Sequence, residues 1–184
     1  MRGKTIIVCC WCILFFPIVL QARESKFNSM GDTLLLKEIL HAWEEHNAKN
    51  IYLLSQINPG SLKDTLCSGG RSVRHQFIHL VQTRNAWINT FFPGESNRTA
   101  FKYTDSLSSG DLRSMFEKSS GMIQEALKHG LTEGKLPNYS NGTMVFFAYL
   151  VSHESHHRGQ IVLALKQSHH GLKQESGYKL WDWH

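Results

Sequence analysis

The residues best placed to do chemistry lie near the carboxyl end of the chain, in the stretch His153-Glu-Ser-His-His157-Arg-Gly-Gln160. At about 100° per residue, His153 and His157 project from one face of a helix, one turn apart. Apolar residues share this face, so both imidazoles should point into a core. Burying two neighbouring imidazoles is costly without a shared partner, and neutral imidazole is a good ligand for a divalent metal ion. The spacing favours a metal site over two hydrogen-bonded core histidines.

A third ligand has to come from another segment. His75 and His79 are also one turn apart, in a second helical stretch. The apolar arc of that stretch does not include His79, which taken alone indicates a surface histidine. His156 lies roughly 80° off the centre of its own apolar face and is expected to meet a neighbouring helix or solvent. Solvated positions are predicted for the remaining histidines, His41, His46, His129 and those of the tail.

The pattern His153-Glu154-x-x-His157 also matches the HExxH motif, in which a glutamate acts as general base beside zinc. The longer metzincin form fails, because Gln160 and Leu163 stand where glycine and the third histidine are required. Glu175 is a conceivable downstream ligand, but it follows a His-His-Gly turn. Since Glu154 points about 100° away from His153, a flanking surface acid is the preferred interpretation over a metalloprotease base.

The charge pattern argues against nucleic acid as a partner. The 184 residues carry 20 lysines and arginines against 15 acids, a formal charge of +5. Two of these basic residues precede residue 23 and no acid does, so the remainder carries 18 − 15 = +3. No basic block or basic–aromatic stripe follows, as a nucleic-acid surface would require.

The amino terminus allows two interpretations. An apolar run, Ile6–Leu20, follows a positively charged start and has the length of a signal-peptide core rather than of a membrane span. Residues 1–22 would then be a cleaved leader of an exported protein. Alternatively, translation starts at Met30, and the protein is cytoplasmic; this is the preferred interpretation. In either case the domain spans 30–184 and contains one cysteine, Cys67, so it has no intrachain disulfide.

Apolar periodicity predicts four helices in this domain and no strand. Asp32 is the expected N-cap of the first helix and Gly171 the expected C-cap residue of the fourth. These elements predict an all-α four-helix bundle. The predicted helices span approximately Asp32–Ser55, Ser72–Phe92, Gly110–His129 and Thr143–Ser168.

The chain resembles the DinB family of the DinB/YfiT-like metalloenzyme superfamily. The resemblance lies in Ser72-Val-Arg-x-x-x-x-His79, His153-x-x-x-His157-Arg-Gly-Gln160, Leu163-Ala-Leu-Lys-Gln167 and Leu180-Trp-Asp-Trp183. It implies a four-helix bundle that holds a divalent metal through three histidines, one on the second helix and two on the fourth. By position these are His79, His153 and His157, so the resemblance selects His79 over His75.

The same resemblance implies a metal-dependent enzyme that uses a low-molecular-weight thiol, of the S-transferase type. A metal-dependent hydrolase and a non-catalytic metal-binding stress-response protein are the alternatives. Zinc, nickel, iron and manganese all suit three imidazoles, with zinc or nickel preferred. The implied partners are a small-molecule substrate or thiol and a second copy of the chain in a homodimer. No membrane span is expected in the mature domain. Arg84 is a candidate for binding a thiol's carboxylate, with an ordinary solvated arginine as the alternative. Arg158 and Gln160 are candidates for orienting a histidine or a substrate, with a plain helix-surface or packing role as the alternative.

Overall fold

The structure is a computed structural model that describes residues 16–93 and 101–183. The described part contains five helices, namely α1 (Phe16–Ser55), α2 (Val73–Phe91), α3 (Ser109–Thr132), α4 (Thr143–Gln167) and the short α5 (Gln174–Lys179), together with a 3-10 turn at Pro59–Lys63. No strand occurs in these residues. The all-α bundle predicted from the sequence is therefore confirmed.

By its internal contacts the chain divides into two units, Met1–Glu38 and Ile39–His184. In the first unit, residues 16–38 are helical, and Leu34 and Leu35 are exposed. Most of the possible leader, residues 1–22, lies outside the described residues, which begin at residue 16. Within the described ranges, no helix has an apolar stretch long enough to cross a membrane.

The predicted start of the first helix was wrong. The backbone of Asp32 lies inside α1, which begins at Phe16, so Asp32 does not occupy the N-cap position. An isolated glycine such as Gly31 costs a helix only about 1 kcal/mol and does not end it.

The starts of α2 and α3 follow the sequence closely. The Ser72 hydroxyl accepts a hydrogen bond from the backbone N–H of His75 and caps α2. At α3, Ser108 and Asp111 form a reciprocal capping box, with Ser108 Oγ and Asp111 Oδ2 each accepting from the other's backbone N–H at 3.1 and 2.8 Å. The cap of α2 and the capping box of α3 both satisfy backbone donors that a helix start leaves unpaired.

The end of α4 differs from the prediction, because the C-cap is Ser168 and the chain turns at His169 rather than at Gly171. His169 has a φ of +61°, and the backbone N–H of His170 donates to Leu165 O at 2.8 Å, as in a Schellman motif. The His170 ring also contacts the buried Asp64 carboxylate at 2.6 Å. The contact links the turn to the segment after the 3-10 turn, and the chain then forms α5.

The core of the second unit is built from two clusters of buried side chains. One is centred on Phe77 and Phe116, whose rings pack edge to face at 5.8 Å. The other is centred on Phe91 and Phe146, at 4.8 Å. Since α2 and α4 both contribute to these clusters, apolar burial at about 25 cal/mol per Å² holds the two histidine-bearing helices together.

Candidate metal centre

Three histidines from two helices meet in the structure. Ligand-capable nitrogen atoms of His79 on α2 and of His153 and His157 on α4 all lie within 4.8 Å of one another. The ring centroids are 5.3 Å apart for His79 and His153, 4.8 Å for His79 and His157, and 4.6 Å for His153 and His157. The group of residues chosen from the sequence is thus brought together at one point.

The surface position predicted for His79 from the apolar arc of α2 was wrong, because α2 has more than one buried face. α2 packs against both α3 and α4. Its apolar residues Phe77 and Leu80 enter the core, while His79 faces α4 and is only partly exposed. A side chain outside the apolar arc can therefore still lie between helices.

His157 is oriented by a residue that the sequence analysis did not single out. The Gln76 side chain, 4% exposed, places Oε1 at 2.5 Å from His157 Nδ1. Since an amide oxygen only accepts, Nδ1 carries the proton and Nε2 keeps its lone pair for a ligand. Gln76 precedes His79 by three residues on α2. That i, i+3 spacing was the signal that could have identified it.

The histidines of the cluster are neutral near pH 7. Burial and, next, the neighbouring His153 and His79 rings lower the pKa of His157 to about 4. Burial is also the main cause that lowers the pKa of His79 and of His153. Neutral imidazoles do not have to lose a proton before they bind a metal ion.

One ring nitrogen of the cluster lacks a partner. His153 Nδ1 is buried and forms no hydrogen bond with any described residue. A buried polar atom without a partner is costly unless the protein, water or an ion satisfies it. Three imidazole donors are a suitable ligand set for a divalent ion, and a bound ion or its water ligands would satisfy the unpartnered nitrogen of His153.

The two other histidines near the cluster do not join it. His75 contacts the Asp105 carboxylate through Nε2 at 2.8 Å and the Ser72 hydroxyl through Nδ1 at 2.9 Å. His156 is exposed, as predicted, and its Nε2 lies 2.8 Å from Gln160 Nε2. Both side chains therefore serve as matched controls for the three clustered histidines.

Glu154 and Arg84 were both expected at the surface, and both expectations were wrong. Glu154 is 1% exposed and Arg84 is fully buried. Arg84 donates to Glu154 through Nε at 2.7 Å and through Nη2 at 2.8 Å. Although burial alone would raise the pKa of Glu154, the charge and hydrogen bonds of Arg84 outweigh it and lower that pKa. Arg84 is thus not available to bind a thiol's carboxylate.

His46 was also expected in solvent and is instead fully buried beside this ion pair. Its Nε2 lies 3.0 Å from Glu154 Oε2, and Asn50 Nδ2 donates to the same oxygen at 2.6 Å. Burial is the main cause that lowers the pKa of His46, and the Glu154 carboxylate opposes it. With its carboxylate bound by α1 and α2, Glu154 cannot serve as the general base of a protease. The sequence did not predict the burial of Glu154 because it indicated one apolar face on α4, whereas α4 is also buried on the side that faces α1.

Arg158 and Gln160 do not hydrogen-bond to any of the three clustered histidines. Arg158 donates to Asn50 Oδ1 at 2.9 Å and to Ser155 Oγ at 2.7 Å. Glu175 is exposed on α5 and is not part of the cluster, and Cys67 is an exposed free thiol. Of the remaining histidines, His41 is exposed as predicted, whereas His129 is partly buried against the Phe92 ring.

A cavity of about 240 Å³ lies along α2, and His75, one turn before His79, belongs to its wall. Arg71 belongs to its wall, and the positive charge of Arg71 contributes to the lowered pKa of all three clustered histidines. The Arg71 side chain is exposed. It therefore supplies a cation near the histidines, and carboxylate binding is the role for which Arg84 was the candidate from the sequence. The cavity is lined by Arg71, His75, Ile78, Gln82, Tyr103, Thr104 and Asp105.

An all-α bundle with three histidines clustered between its second and fourth long helices is the class of protein that the fold and this site define. The sequence model of the DinB family matches residues 30–183, and the chain belongs to that family. No curated protein matches the chain significantly. No solved structure matches it significantly either.

Proposed function

We propose that His79, His153 and His157 bind one divalent metal ion and that the protein is a metal-dependent enzyme of the thiol S-transferase type. The observation that carries the proposal is the convergence of three neutral imidazoles within 4.8 Å of one another. Zinc or nickel is the ion we expect, since both bind imidazole well. A low-molecular-weight thiol is the expected co-substrate.

An open coordination position supports an enzyme over a structural site. Among the described residues, the cluster contains three potential ligands and no fourth histidine, cysteine, aspartate or glutamate. Structural zinc sites are usually closed by four protein ligands, whereas catalytic sites keep one position for water or substrate. A divalent ion at such a site acts as a Lewis acid that favours ionisation of a thiol or of water.

The surrounding residues support binding of an anionic thiol or substrate. Gln76 holds His157 in one tautomer, and the Arg71 guanidinium provides positive charge beside the three rings. Arginine binds carboxylates in a planar, two-point geometry. We therefore expect Arg71 to attract the carboxylate of a thiol or of its electrophilic partner.

The metal is tested by elemental analysis of the full chain purified without chelators. We expect about one equivalent of divalent metal, lost on replacing His79, His153 or His157 by alanine. The controls His75→Ala and His156→Ala remove neighbouring imidazoles and should retain the ion. Metal content at background in the unaltered protein, or unchanged by all three substitutions, would refute the site.

The thiol step needs a separate test on the cobalt- or nickel-substituted protein. Titration with cysteine or glutathione should perturb the visible spectrum of the ion, and Arg71→Gln should weaken this binding without loss of metal. Arg113→Gln, which removes an exposed arginine of α3, is the control. A bound metal that does not respond to thiols would eliminate the transferase and leave a hydrolase or a structural site.

We also propose that translation starts at Met30 and that the protein acts in the cytoplasm. The family match from residue 30 supports this start. Sequencing the amino terminus of the natural protein distinguishes the alternatives, because a start near Arg23 would indicate a cleaved leader instead.

A further inference from the structure

A second cavity lies on the other side of α4 from the histidine cluster. Val162, in its wall, is nine residues after His153 and so about 180° around the helix. The cavity has a volume of about 500 Å³, within the range of small-molecule sites. Its wall includes Arg158, Gly159 and Val162 of α4, and Tyr178, Trp181 and Trp183 of α5 and the tail.

Large aromatic side chains form the outer wall of this cavity. Tyr178, Trp181 and Trp183 are 67%, 82% and 45% exposed. Clustered exposed aromatic rings of this size are unusual for a surface without a ligand or partner. Flat rings favour an aromatic ligand, which can pack against them in stacked or edge-to-face arrangements.

The inner wall of the cavity carries a positive charge that lacks a counter-ion. The hydrogen-bond partners of Arg158 are the uncharged groups of Asn50 and Ser155, with a longer 3.4 Å contact to His46 Nε2. Arg158 forms no ion pair in the described part of the chain. An arginine next to apolar surface interacts strongly with an anion because water screens the pair poorly.

The adjacent carboxylate does not cancel this charge. Glu154 is already bound at both oxygens by Arg84, and the ion pair they form is fully buried. This part of the bundle therefore holds two guanidinium groups, and the Glu154 carboxylate pairs with only one of them, that of Arg84. A buried charge is stable when it is paired, so the excess favours an anionic group in the cavity.

We propose that this cavity is a binding site for a small aromatic carboxylate, whose charged group contacts Arg158 and whose ring packs against Trp181 and Trp183. The site is separate from the proposed metal centre and does not rest on it.

The test is isothermal titration calorimetry of the full chain with 2-naphthoate and with its uncharged counterpart 2-naphthamide. EDTA is included, so that no metal ion at the histidine cluster can bind the carboxylate. We expect 2-naphthoate to bind about tenfold or more tightly than the amide, because charge-assisted hydrogen bonds are roughly twice as strong as neutral ones. Equal affinities, or no binding of either compound, would overturn the proposal.

Two substitutions locate the site. Arg158→Gln should abolish the preference for the carboxylate. Gly159→Phe should block binding while leaving the buried network intact, since Gly159 lines the cavity and has open space around its Cβ position. Gly121→Phe is the matched control, an exposed helical glycine of α3 with equally open surroundings. Undiminished binding to the Gly159→Phe protein would contradict the proposal even if Arg158→Gln did not fold. A dimer that covers Trp181 and excludes 2-naphthoate would also overturn it.

Discussion

Arg84 and Glu154 form a two-point ion pair that joins α2 to α4 in the interior of the bundle. Arg84 follows His79 by five residues, and Glu154 directly follows His153. The pair therefore lies close to the histidine cluster along both helices and fixes how one helix is placed along the other. The Arg84 guanidinium also lies over the rings of Trp43 and Phe116, at 4.8 Å from each centroid. A polar connection thus holds the two histidine-bearing helices in register.

Breaking this ion pair should destabilise the protein strongly. Either Glu154→Gln or Arg84→Met leaves a buried group without its partner, which costs about 3–5 kcal/mol in the free energy of unfolding. Urea denaturation of the metal-free protein measures it. Replacing Arg113 by glutamine in the exposed Arg113–Glu117 pair is the control and should cost about 0.3–0.5 kcal/mol. A loss below about 1 kcal/mol in both buried variants would contradict the structural role given to this pair.

Removing the Gln76 amide should weaken metal binding rather than the fold. In Gln76→Ala, His157 loses the acceptor that holds its Nδ1 proton, and such changes typically reduce metal affinity about 10–100-fold. Competition with a chromogenic chelator measures the affinity. Gln82→Ala, an exposed position of the same helix, should leave it unchanged. Equal affinities for the two variants would mean that Gln76 does not orient the ligand.

Acid should destabilise the metal-free protein over a pH range that depends on the lowered pKa values of its buried histidines. The folded state lowers the pKa of His46, His79, His153 and His157, in the last case to about 4. The unfolded chain therefore binds more protons than the native protein below about pH 6.5, so stability decreases as the pH falls from there towards 4. Urea denaturation at several pH values measures this slope. Replacing the three clustered histidines by glutamine should flatten it, and an unchanged slope would contradict the lowered pKa values.

Two glycines of α3 should respond to alanine in opposite directions. A Cβ on Gly130 would lie 2.4 Å from Thr143 Oγ1 and 2.9 Å from Leu136 Cδ2, so Gly130→Ala should destabilise the protein by about 1–3 kcal/mol. Gly121 is exposed with no atom near its Cβ position, and Gly121→Ala should stabilise the helix by about 0.5–1 kcal/mol. Thermal and urea denaturation measure both changes. Equal effects would show that α3 and α4 do not approach closely at Gly130.

The sequence by itself determined the helical elements and the group of clustered histidines. The 3.6-residue periodicity and the spacing of His153 and His157 are local properties, which neighbouring residues specify. They predicted α2, α3 and α4 to within a few residues. The choice of His79 over His75 came from the family resemblance rather than from periodicity.

The tertiary structure alone decided which polar side chains are buried. Glu154 lies off the apolar face of α4, about 100° from His153, and is buried because each helix of a bundle meets several neighbours. Arg84 and His46 lie on the apolar faces of their helices, four residues after Leu80 and three after Trp43, and were expected in solvent only because their side chains are polar. Their burial depends on partners 70 and 108 residues apart in the chain, which no local pattern encodes. The cavity beside Trp181 and Trp183 also depends on the tertiary structure, because it forms only where the turn at His169 and the short α5 bring the tail against α4. Local geometry thus specifies the elements, and long-range pairing of buried charges specifies how they surround the site.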